Sequence, residues 1–210
     1  MGLLTRALPW RTGWRVLDVG CGAGRHARAL VAAGARPVGL DLSADLLACA
    51  KGTGVPLVRA DMRHLPVRPR SVDLVVNLFT SFGYFEDDAE HARVLHGFAE
   101  VLAPGGWFAL DFLNADSVRS GLVTEEVQQL GVGPVRIRRE LRDGGRRVVK
   151  TMHIPDGRTF VERVRLFQPE ELEAMLGDAG LSVESRFGDY HGGPLGPGAP
   201  RTILLSRLIA

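Results

Sequence analysis

Three glycines that follow a short apolar run constrain the fold of this chain more than any other feature. Residues 15–25 read Arg-Val-Leu-Asp-Val-Gly-Cys-Gly-Ala-Gly-Arg, and a helical pattern follows at residues 25–33. The apolar residues predict a short buried strand. Gly20, Gly22 and Gly24 permit left-handed backbone angles and the close approach of a ligand, which a Cβ atom would hinder. The free N–H groups at the start of the helix would then face a ligand bound over the glycines.

The spacing of the glycines separates the nucleotide-binding folds that share such a turn. A dinucleotide-binding turn has a small residue three positions after its second glycine, where this chain has Arg25. A P-loop continues into Gly-Lys-Ser/Thr, which is not present here. Instead, Asp18 stands two positions before Gly20, and the third glycine is Gly24. This Asp-x-Gly-x-Gly-x-Gly pattern resembles motif I of the class I S-adenosylmethionine (SAM) dependent methyltransferases. The alternative is an ordinary tight turn that binds no ligand.

Length and composition indicate a single globular domain, which we expect to cover residues 1–210. Of the residues, 45% are hydrophobic and 24% are charged, as in ordinary soluble domains. The net charge of +2 is too small to indicate nucleic-acid binding by itself. No run approaches the roughly 18 apolar residues that a membrane span needs. The only cysteines, Cys21 and Cys49, do not suggest a disulfide framework. We therefore expect a cytoplasmic protein that has no membrane partner.

The segment before the first predicted strand is short. Only residues 1–14 precede it, and residues 3–8 have the pattern of one or two helical turns. Members of the resembled family often carry further N-terminal helices that cover the cofactor. By comparison, the short segment implies an open site, a lid supplied from elsewhere, or a partner subunit.

Two further acidic residues end strands that the pattern predicts downstream. Residues 36–42 predict a second strand ending at Asp41 and Leu42, and Ser43 can cap a helix over residues 44–52. Because neighbouring parallel strands end at one crevice, an acid there can accept both hydroxyl protons of a ribose. A third strand, residues 57–60, ends at Asp61 and Met62, and the resemblance places this pair at the adenine. At both acidic positions the alternative is a solvated aspartate in a turn.

A fourth predicted strand, residues 71–79, leads into a loop rich in aromatic residues. The loop after Asn77 reads Leu-Phe-Thr-Ser-Phe-Gly-Tyr-Phe and includes Phe79 and Tyr84. Aromatic side chains at this strand end would face the reactive end of the cofactor, where they attract a sulfonium cation and exclude water. The alternative is a hydrophobic loop packed under the next helix. Asn77 stands where DNA amino-methyltransferases begin Asn/Asp-Pro-Pro-Tyr/Phe, and the missing prolines argue against methylation of adenine in DNA.

The second half of the chain departs from a regular alternation of strands and helices. A helix over residues 87–102 and a fifth strand over residues 107–112 come first. His91 and His96 lie among charged residues of that helix, so we expect both at the surface. Residues 115–165 then contain three β-type segments, 135–141, 147–153 and 160–167. They predict a small antiparallel insertion, which could serve as a lid.

Basic residues crowd the first hairpin of this insertion. They are Arg136, Arg138, Arg139, Arg142, Arg146, Arg147 and Lys150. We favour a solvated, partly ion-paired face over an RNA-binding surface, because no aromatic residues are interleaved there for base stacking.

A final helix and two strands complete the pattern. The helix begins at Gln168-Pro169 and stops at Gly180, and strands follow over Leu181–Phe187 and residues 202–208. The whole order resembles the class I methyltransferase fold. That fold is α/β, a doubly wound, Rossmann-like, seven-stranded mixed sheet, here with a small antiparallel insertion after strand 5. The resemblance implies the strand order 3-2-1-4-5-7-6 with the last strand antiparallel.

The resemblance also implies a function, the transfer of a methyl group from SAM to a small-molecule O, N or C nucleophile. The product of the cofactor would be S-adenosylhomocysteine. The implied cofactor contacts are Asp18, Gly20, Cys21, Gly22, Gly24, Asp41, Leu42, Asp61, Met62, Asn77 and Phe79. Loop positions place Tyr84 and His191 at the acceptor as candidate catalytic residues, because an imidazole can serve as a base near neutral pH.

Two other functions remain open from the sequence alone. One is RNA methylation, which the basic hairpin would favour, and the other is a non-catalytic SAM-binding regulator or partner subunit. No cluster with metal-ligand spacing is evident, so we expect no metal, and we expect no binding of duplex DNA. The oligomeric state is open, with a homodimer as one option.

Overall fold

The computed structural model describes residues 1–209, which form eleven strands and six α-helices. The strands are β1 Arg15–Val19, β2 Arg36–Asp41, β3 Leu57–Arg59, β4 Val72–Asn77, β5 Leu102–Leu113, β6 Glu125–Leu130, β7 Gly133–Arg142, β8 Arg147–His153, β9 Thr159–Arg165, β10 Leu181–Phe187 and β11 Arg201–Leu208. The helices are α1 Gly2–Ala7, α2 Arg25–Ala32, α3 Ala44–Ala50, α4 Asp88–Val101, α5 Ala115–Ser120 and α6 Pro169–Asp178. None of the helices within residues 1–209 is both long enough and apolar enough to cross a membrane.

Seven strands form one mixed sheet in the order β3-β2-β1-β4-β5-β11-β10. The first five strands are parallel, and β11 pairs antiparallel with both β5 and β10. This order confirms the predicted 3-2-1-4-5-7-6 arrangement and the predicted antiparallel last strand. It also brings the carboxyl ends of β1, β2 and β4 to one edge of the sheet, where ligands bind in doubly wound folds.

Both faces of the sheet are covered, which explains the apolar character of its central strands. Alternate residues of β4 contribute to two separate hydrophobic clusters, Val75 to one and Leu74 and Val76 to the other. Successive side chains of a strand point to opposite faces, so each cluster fills one side of the sheet. One cluster includes residues of α4 and α6, and the other includes residues of α1 and α2.

The predicted insertion is a second, antiparallel sheet with the order β6-β7-β8-β9. Val148 and Val164 of this sheet belong to the main hydrophobic cluster, so the insertion packs against the larger sheet. The residue pattern did not predict β6 or the short helix α5. Most of β6 is polar and exposed, so it lacks the alternating apolar residues on which a strand prediction depends.

His91 is buried, so the prediction that it lies at the surface is wrong. Its ring packs 5.0 Å, between centroids, from each of Phe82, Phe85 and Phe167. Nε2 accepts from the backbone N–H of Phe85, and Nδ1 contacts the carbonyl oxygen of Asp87 at 3.0 Å. Burial lowers the pKa of His91, which keeps the ring neutral and suited to this cluster. His96 is exposed, as predicted.

Candidate functional site

The turn after β1 has the backbone that the three glycines predict. Gly20, Gly22 and Gly24 have φ angles of +72°, +53° and +76°, in the left-handed region. A Cβ atom on Gly20 would lie 2.5 Å from Cβ of Ser81 in the loop after β4. The turn is therefore pressed against that loop, and the oxygen of Ser81 donates to the carbonyl of Gly20 at 3.2 Å.

Two of the predicted cofactor residues in this turn serve packing. Cys21 is buried against Gly39, where a Cβ atom would come within 2.8 Å of its sulfur. Burial, with the nearby charges of Asp18 and Asp41, raises the pKa of the Cys21 thiol to about 12, so it stays protonated. A Cβ atom on Gly24 would meet Thr53 and Ala50 at 3.2 and 3.3 Å. Neither Cys21 nor Gly24 lines the cavity described next.

A cavity of about 650 Å³ lies beside the glycine turn at the carboxyl ends of the parallel strands. Its lining includes eight of the residues singled out from the sequence: Gly20, Gly22, Asp41, Leu42, Asp61, Met62, Phe79 and Tyr84. The volume is in the range of sites that hold a drug-sized ligand or cofactor. The structure therefore brings together residues that lie up to 64 positions apart in the sequence.

Asp18 and Asn77 lie near the carboxyl ends of β1 and β4, and neither lines the cavity. Both side chains are buried, and Nδ2 of Asn77 donates to the carbonyl of Val19 at 3.0 Å. Within residues 1–209, no donor lies in hydrogen-bonding reach of Oδ2 of Asp18. Burial, with a smaller contribution from the charge of Asp41, raises the pKa of Asp18 to about 7. An unpaired buried carboxyl suits a ligand that brings hydrogen-bond donors or positive charge close to the end of β1.

Asp41 joins the glycine turn to the end of β2. Its Oδ2 accepts from the backbone N–H of Gly22 at 2.8 Å, and Oδ1 accepts from that of Ser43 at 2.9 Å. Ser43 caps α3 by accepting from the N–H of Leu46 at 3.2 Å. A carboxylate has about four lone-pair directions, so Asp41 keeps acceptor capacity for ligand hydroxyls at the cavity wall.

Asp61 is engaged by an arginine that the sequence analysis did not single out. Arg63 donates to both carboxylate oxygens of Asp61, with a shortest N···O distance of 2.6 Å, and to Glu90 at 2.7 Å. These hydrogen bonds lower the pKa of Asp61. The proximity of Arg63 to Asp61 is visible in the sequence, but Glu90 lies 27 positions away. All three side chains line the cavity.

The charged side chains that line this cavity are mostly acidic. Four carboxylates, those of Asp41, Asp61, Glu86 and Glu90, share the lining with one arginine, Arg63. Such a surface favours ligands that carry positive charge.

Two of the three aromatic rings in the lining already face a guanidinium group. Arg25 lies 4.5 Å from the ring centre of Phe79, and Arg63 lies 5.4 Å from that of Phe85. No such contact to Tyr84 occurs among the described residues. Burial, with the nearby charge of Glu162, raises the pKa of Tyr84 to about 12. Its hydroxyl therefore stays protonated, and its ring face is available to another cation.

The structure does not bring His191 into the same cavity as Tyr84. His191 lines a second cavity of about 220 Å³, together with His26, Asp111 and Tyr190. Burial, with the charge of Arg25, lowers the pKa of His26 to about 4, so this imidazole is neutral. Leu78 lines the second cavity and its neighbour Phe79 lines the first, so the start of the loop after β4 runs between them.

Comparison with known proteins agrees with this geometry. A family model described as "Methyltransferase domain" matches residues 16–106. The dTDP-3-amino-3,6-dideoxy-alpha-D-glucopyranose N,N-dimethyltransferase of Streptomyces fradiae is 32% identical over 203 residues, which cover 87% of this chain and 74% of that protein.

Two solved structures share the fold. The CcbJ methyltransferase from Streptomyces caelestis has a TM-score of 0.82 at 23% identity and covers 99% of this chain and 88% of its own. SAM-bound CalS10, an amino pentose methyltransferase from Micromonospora echinaspora, has a TM-score of 0.67 at 26% identity, with 93% and 84% covered. With the cavity that the glycine turn and the two strand-end acids build, these similarities show that the chain belongs to the class I SAM-dependent methyltransferases.

Proposed function

We propose that this enzyme transfers the methyl group of SAM to an amino group of a small polar acceptor, of the amino sugar class. The observation that carries the proposal is that Glu86 and Glu90 line the large cavity together with the uncovered ring of Tyr84, in addition to the two aspartates that we assign to the cofactor. An acidic cavity attracts an amine in its protonated form and guides it towards the reacting centre. Two of the similar proteins described above are named for amino sugar acceptors, which supports the same class.

We assign the cofactor contacts as follows. The backbone of Gly20 and Gly22 leaves room for the methionine part, and the unpaired carboxyl of Asp18 attracts the positive charge of that part. Asp41 accepts from the ribose hydroxyls, while Asp61 and Met62 bind the adenine by hydrogen bonding and packing. Leu42 and Phe79 complete the walls. Asn77 ties the ends of β1 and β4 together, and Cys21 and Gly24 hold the turn by packing.

The protein has little covalent chemistry to perform in this reaction. When bound, SAM would supply an electrophilic methyl group on a sulfonium. The acceptor amine would first lose its ammonium proton and would then attack in line with the departing sulfur. The acceptor nitrogen must be held about 3 to 3.5 Å from the methyl carbon. We propose that Tyr84 orients the acceptor through its protonated hydroxyl. His191 lines the second cavity, across Phe79 and Thr80 from Tyr84, so we assign removal of the amine proton to solvent rather than to His191.

The inserted sheet borders the acceptor side, and we propose that residues 115–165 act as a lid within a single domain of residues 1–210. Arg147 of β8 donates to the carbonyl oxygens of Phe85, at 3.1 Å, and Glu86. The backbone N–H of Arg165 donates to the carbonyl of Gly83 at 2.8 Å. The loop that carries Tyr84 is thus attached to the insertion at three points. A homodimer fits the proposal as well as a monomer does.

We also propose that the enzyme works in the cytoplasm. Both of its cysteines, the buried Cys21 and the exposed Cys49, are free thiols, as a reducing compartment maintains them.

The test is a direct assay with the acceptor named for the Streptomyces fradiae relative, dTDP-3-amino-3,6-dideoxy-α-D-glucopyranose. We expect S-adenosylhomocysteine to form together with acceptor products that are one and two methyl groups heavier. dTDP-glucose, which carries hydroxyls but no amine, should give no product. Gly20→Ala should abolish turnover, because its Cβ atom would meet Ser81.

Other outcomes of the assay point to other functions. Methylation of dTDP-glucose would identify an O-methyltransferase. Tight binding of S-adenosylhomocysteine without turnover on a broad panel of amines would identify a non-catalytic regulator or partner subunit. Salt-dependent RNA binding with methyl transfer to RNA would favour the RNA alternative.

A further inference from the structure

Two adjacent residues in the loop after β4 hold a backbone conformation that their side chains disfavour. Phe79 and Thr80 have φ angles of 59° and 63°. Left-handed angles are uncommon outside glycine, and a β-branched residue such as Thr80 rarely adopts them. Such a conformation persists only where the surroundings hold it in place.

Asp111 supplies most of that hold from the end of β5. Its Oδ2 accepts from the N–H of Phe79 at 3.1 Å, and its backbone carbonyl accepts from the N–H of Thr80 at 3.0 Å. Asp111 is 3% exposed. One buried residue therefore accepts hydrogen bonds from the N–H groups of two consecutive residues that have left-handed backbone angles.

Two further side chains fix Asp111 itself. Arg201, at the start of β11, donates through Nε to Oδ1 of Asp111 at 2.7 Å and through Nη2 to the hydroxyl of Thr80 at 3.0 Å. Tyr190 donates its hydroxyl to Oδ2 of Asp111 at 2.9 Å. Asp111, Tyr190 and Arg201 are called the Asp111 clamp below.

Two guanidinium groups contact the ring of Phe79. The guanidinium of Arg25 lies 4.5 Å from its centre and that of Arg201 lies 5.6 Å from it. Cations of the protein already contact the ring, so it is poorly placed to receive the sulfonium as well. Phe79 acts as a wall of the cofactor cavity, and Tyr84 is the aromatic face left for the cation.

The clamp lies where the two cavities adjoin. Phe79 and Thr80 line the cavity of about 650 Å³, whereas Asp111 and Tyr190 line the cavity of about 220 Å³. We propose that the Asp111 clamp positions Phe79 and Thr80 as the wall of the cofactor cavity, so that Asp111, Arg201 and Tyr190 act as positioning residues for SAM. This rests on the proposed function only in that the large cavity holds the cofactor.

The test compares clamp variants with a more exposed arginine–aspartate pair elsewhere. Asp111→Asn leaves one oxygen and an amide donor where three donors converge, and Arg201→Lys removes the forked geometry. Tyr190→Phe removes a single hydrogen bond. The control is Asp73→Asn. Asp73 pairs with Arg15 at 2.6 Å near the amino-terminal ends of β4 and β1, away from the cavities at the carboxyl ends of the strands.

Two measurements that need no acceptor are made on each variant. Calorimetry with S-adenosylhomocysteine should show affinity at least about fivefold weaker in Asp111→Asn and Arg201→Lys, with a smaller loss in Tyr190→Phe. Hydrogen exchange should accelerate at the amides of Phe79 and Thr80 in the same variants. Asp73→Asn should change neither measurement.

A second substitution separates positioning from stability. Glycine adopts left-handed angles without strain, so adding Thr80→Gly to Asp111→Asn should raise the melting temperature without restoring affinity. Equal losses of affinity in Asp73→Asn, or protected Phe79 and Thr80 amides in Asp111→Asn, would overturn the proposal. If the calorimetry and hydrogen exchange give the expected results but the amine assay gives no product, only the proposed acceptor class is excluded. The proposal for the Asp111 clamp would stand.

Discussion

Asp18 gives the ligand-free enzyme an unusual dependence of stability on pH. Burial raises its pKa from the ordinary 3.8 to about 7, so the folded protein holds this proton more tightly than the unfolded chain does. The free energy of unfolding should therefore fall as the pH rises from about 4 to about 7, by at most roughly 4 kcal/mol. Urea denaturation across this range should show the loss in the parent and a much flatter profile in Asp18→Asn. Asp178→Asn, at an exposed position, should keep the profile of the parent.

Asp41 carries a prediction about affinity. If it accepts from the ribose hydroxyls, Asp41→Ala should weaken S-adenosylhomocysteine binding by roughly 1 to 3 kcal/mol, because those hydroxyls lose a charged acceptor. Part of the loss would come from the turn, since Asp41 also holds the N–H of Gly22. Calorimetry on Asp41→Ala and on the exposed control Asp45→Ala measures the difference. Equal affinities in the two variants would remove Asp41 from the cofactor site.

Single residues show both the reach and the limit of sequence reasoning. The left-handed turn at Gly20, Gly22 and Gly24 was predictable because few other residues tolerate those angles. The contact between Arg63 and Glu90 and the one between Asp111 and Arg201 were not, since they join residues 27 and 90 positions apart. Hydrophobic spacing reports which face of an element is buried, but it does not report which polar groups meet there.

The elements around Arg165 show how the insertion is attached to the larger sheet. Arg165, in β9, is 3% exposed; it pairs with Asp88 of α4 and Glu171 of α6 and packs over the ring of Phe167 at 4.5 Å. Asp88 and Glu171 are each nearly half exposed. The burial is therefore unequal, because the cation is enclosed and its partners reach water.

This inequality predicts which half of the pair matters more. Removing both acids, in Asp88→Asn with Glu171→Gln, leaves a buried cation without a counter-charge and should cost about 3 to 5 kcal/mol of unfolding free energy. Arg165→Met should cost less, because the two acids can be hydrated and the methionine keeps contact with Phe167. Urea denaturation of the two variants compares these costs. A larger loss of unfolding free energy in Arg165→Met would contradict the prediction. It would mean that the contacts of Arg165 stabilise the fold by more than the cost of burying its charge without a partner.

Element prediction succeeded where burial shapes the sequence and failed where it does not. The buried strands β1, β2 and β4 carry apolar runs bounded by glycine, aspartate or asparagine, and all three lie where they were expected. Strand β6 pairs with β7 through backbone hydrogen bonds. Its polar side chains do not alternate with apolar ones, so the sequence does not indicate that pairing. In β5, pairing with β4 extends the strand back to Leu102, before the proline and glycines that suggested a later start.

The sheet order and the placement of the large cavity at the carboxyl ends of the parallel strands followed from the family resemblance, because the fold fixes where strand ends converge. The second cavity did not follow, since it forms where α1, the ends of β4 and β5, and the loop before β11 meet. Those contacts depend on the packing of segments far apart in the sequence. The second cavity is for this reason less predictable from the sequence than the large cavity.

The distribution of charge over the molecule predicts weak binding to duplex DNA. The net charge is +2, and five of the seven basic residues on the first hairpin of the insertion pair with carboxylates, namely Arg139, Arg142, Arg146, Arg147 and Lys150. DNA affinity comes largely from cations that replace counterions at phosphates, so paired arginines contribute little.

Titration of the enzyme with labelled duplex DNA at physiological salt should give a Kd weaker than about 10 μM, the range of non-specific contacts. Arg136 and Arg138 are the two basic residues of the hairpin outside those ion pairs, so Arg136→Gln with Arg138→Gln should remove most of the residual binding. Sub-micromolar affinity for the parent enzyme would contradict this prediction. Such affinity would show that the hairpin ion pairs open when a polyanion approaches, and it would return nucleic acids to the list of acceptors.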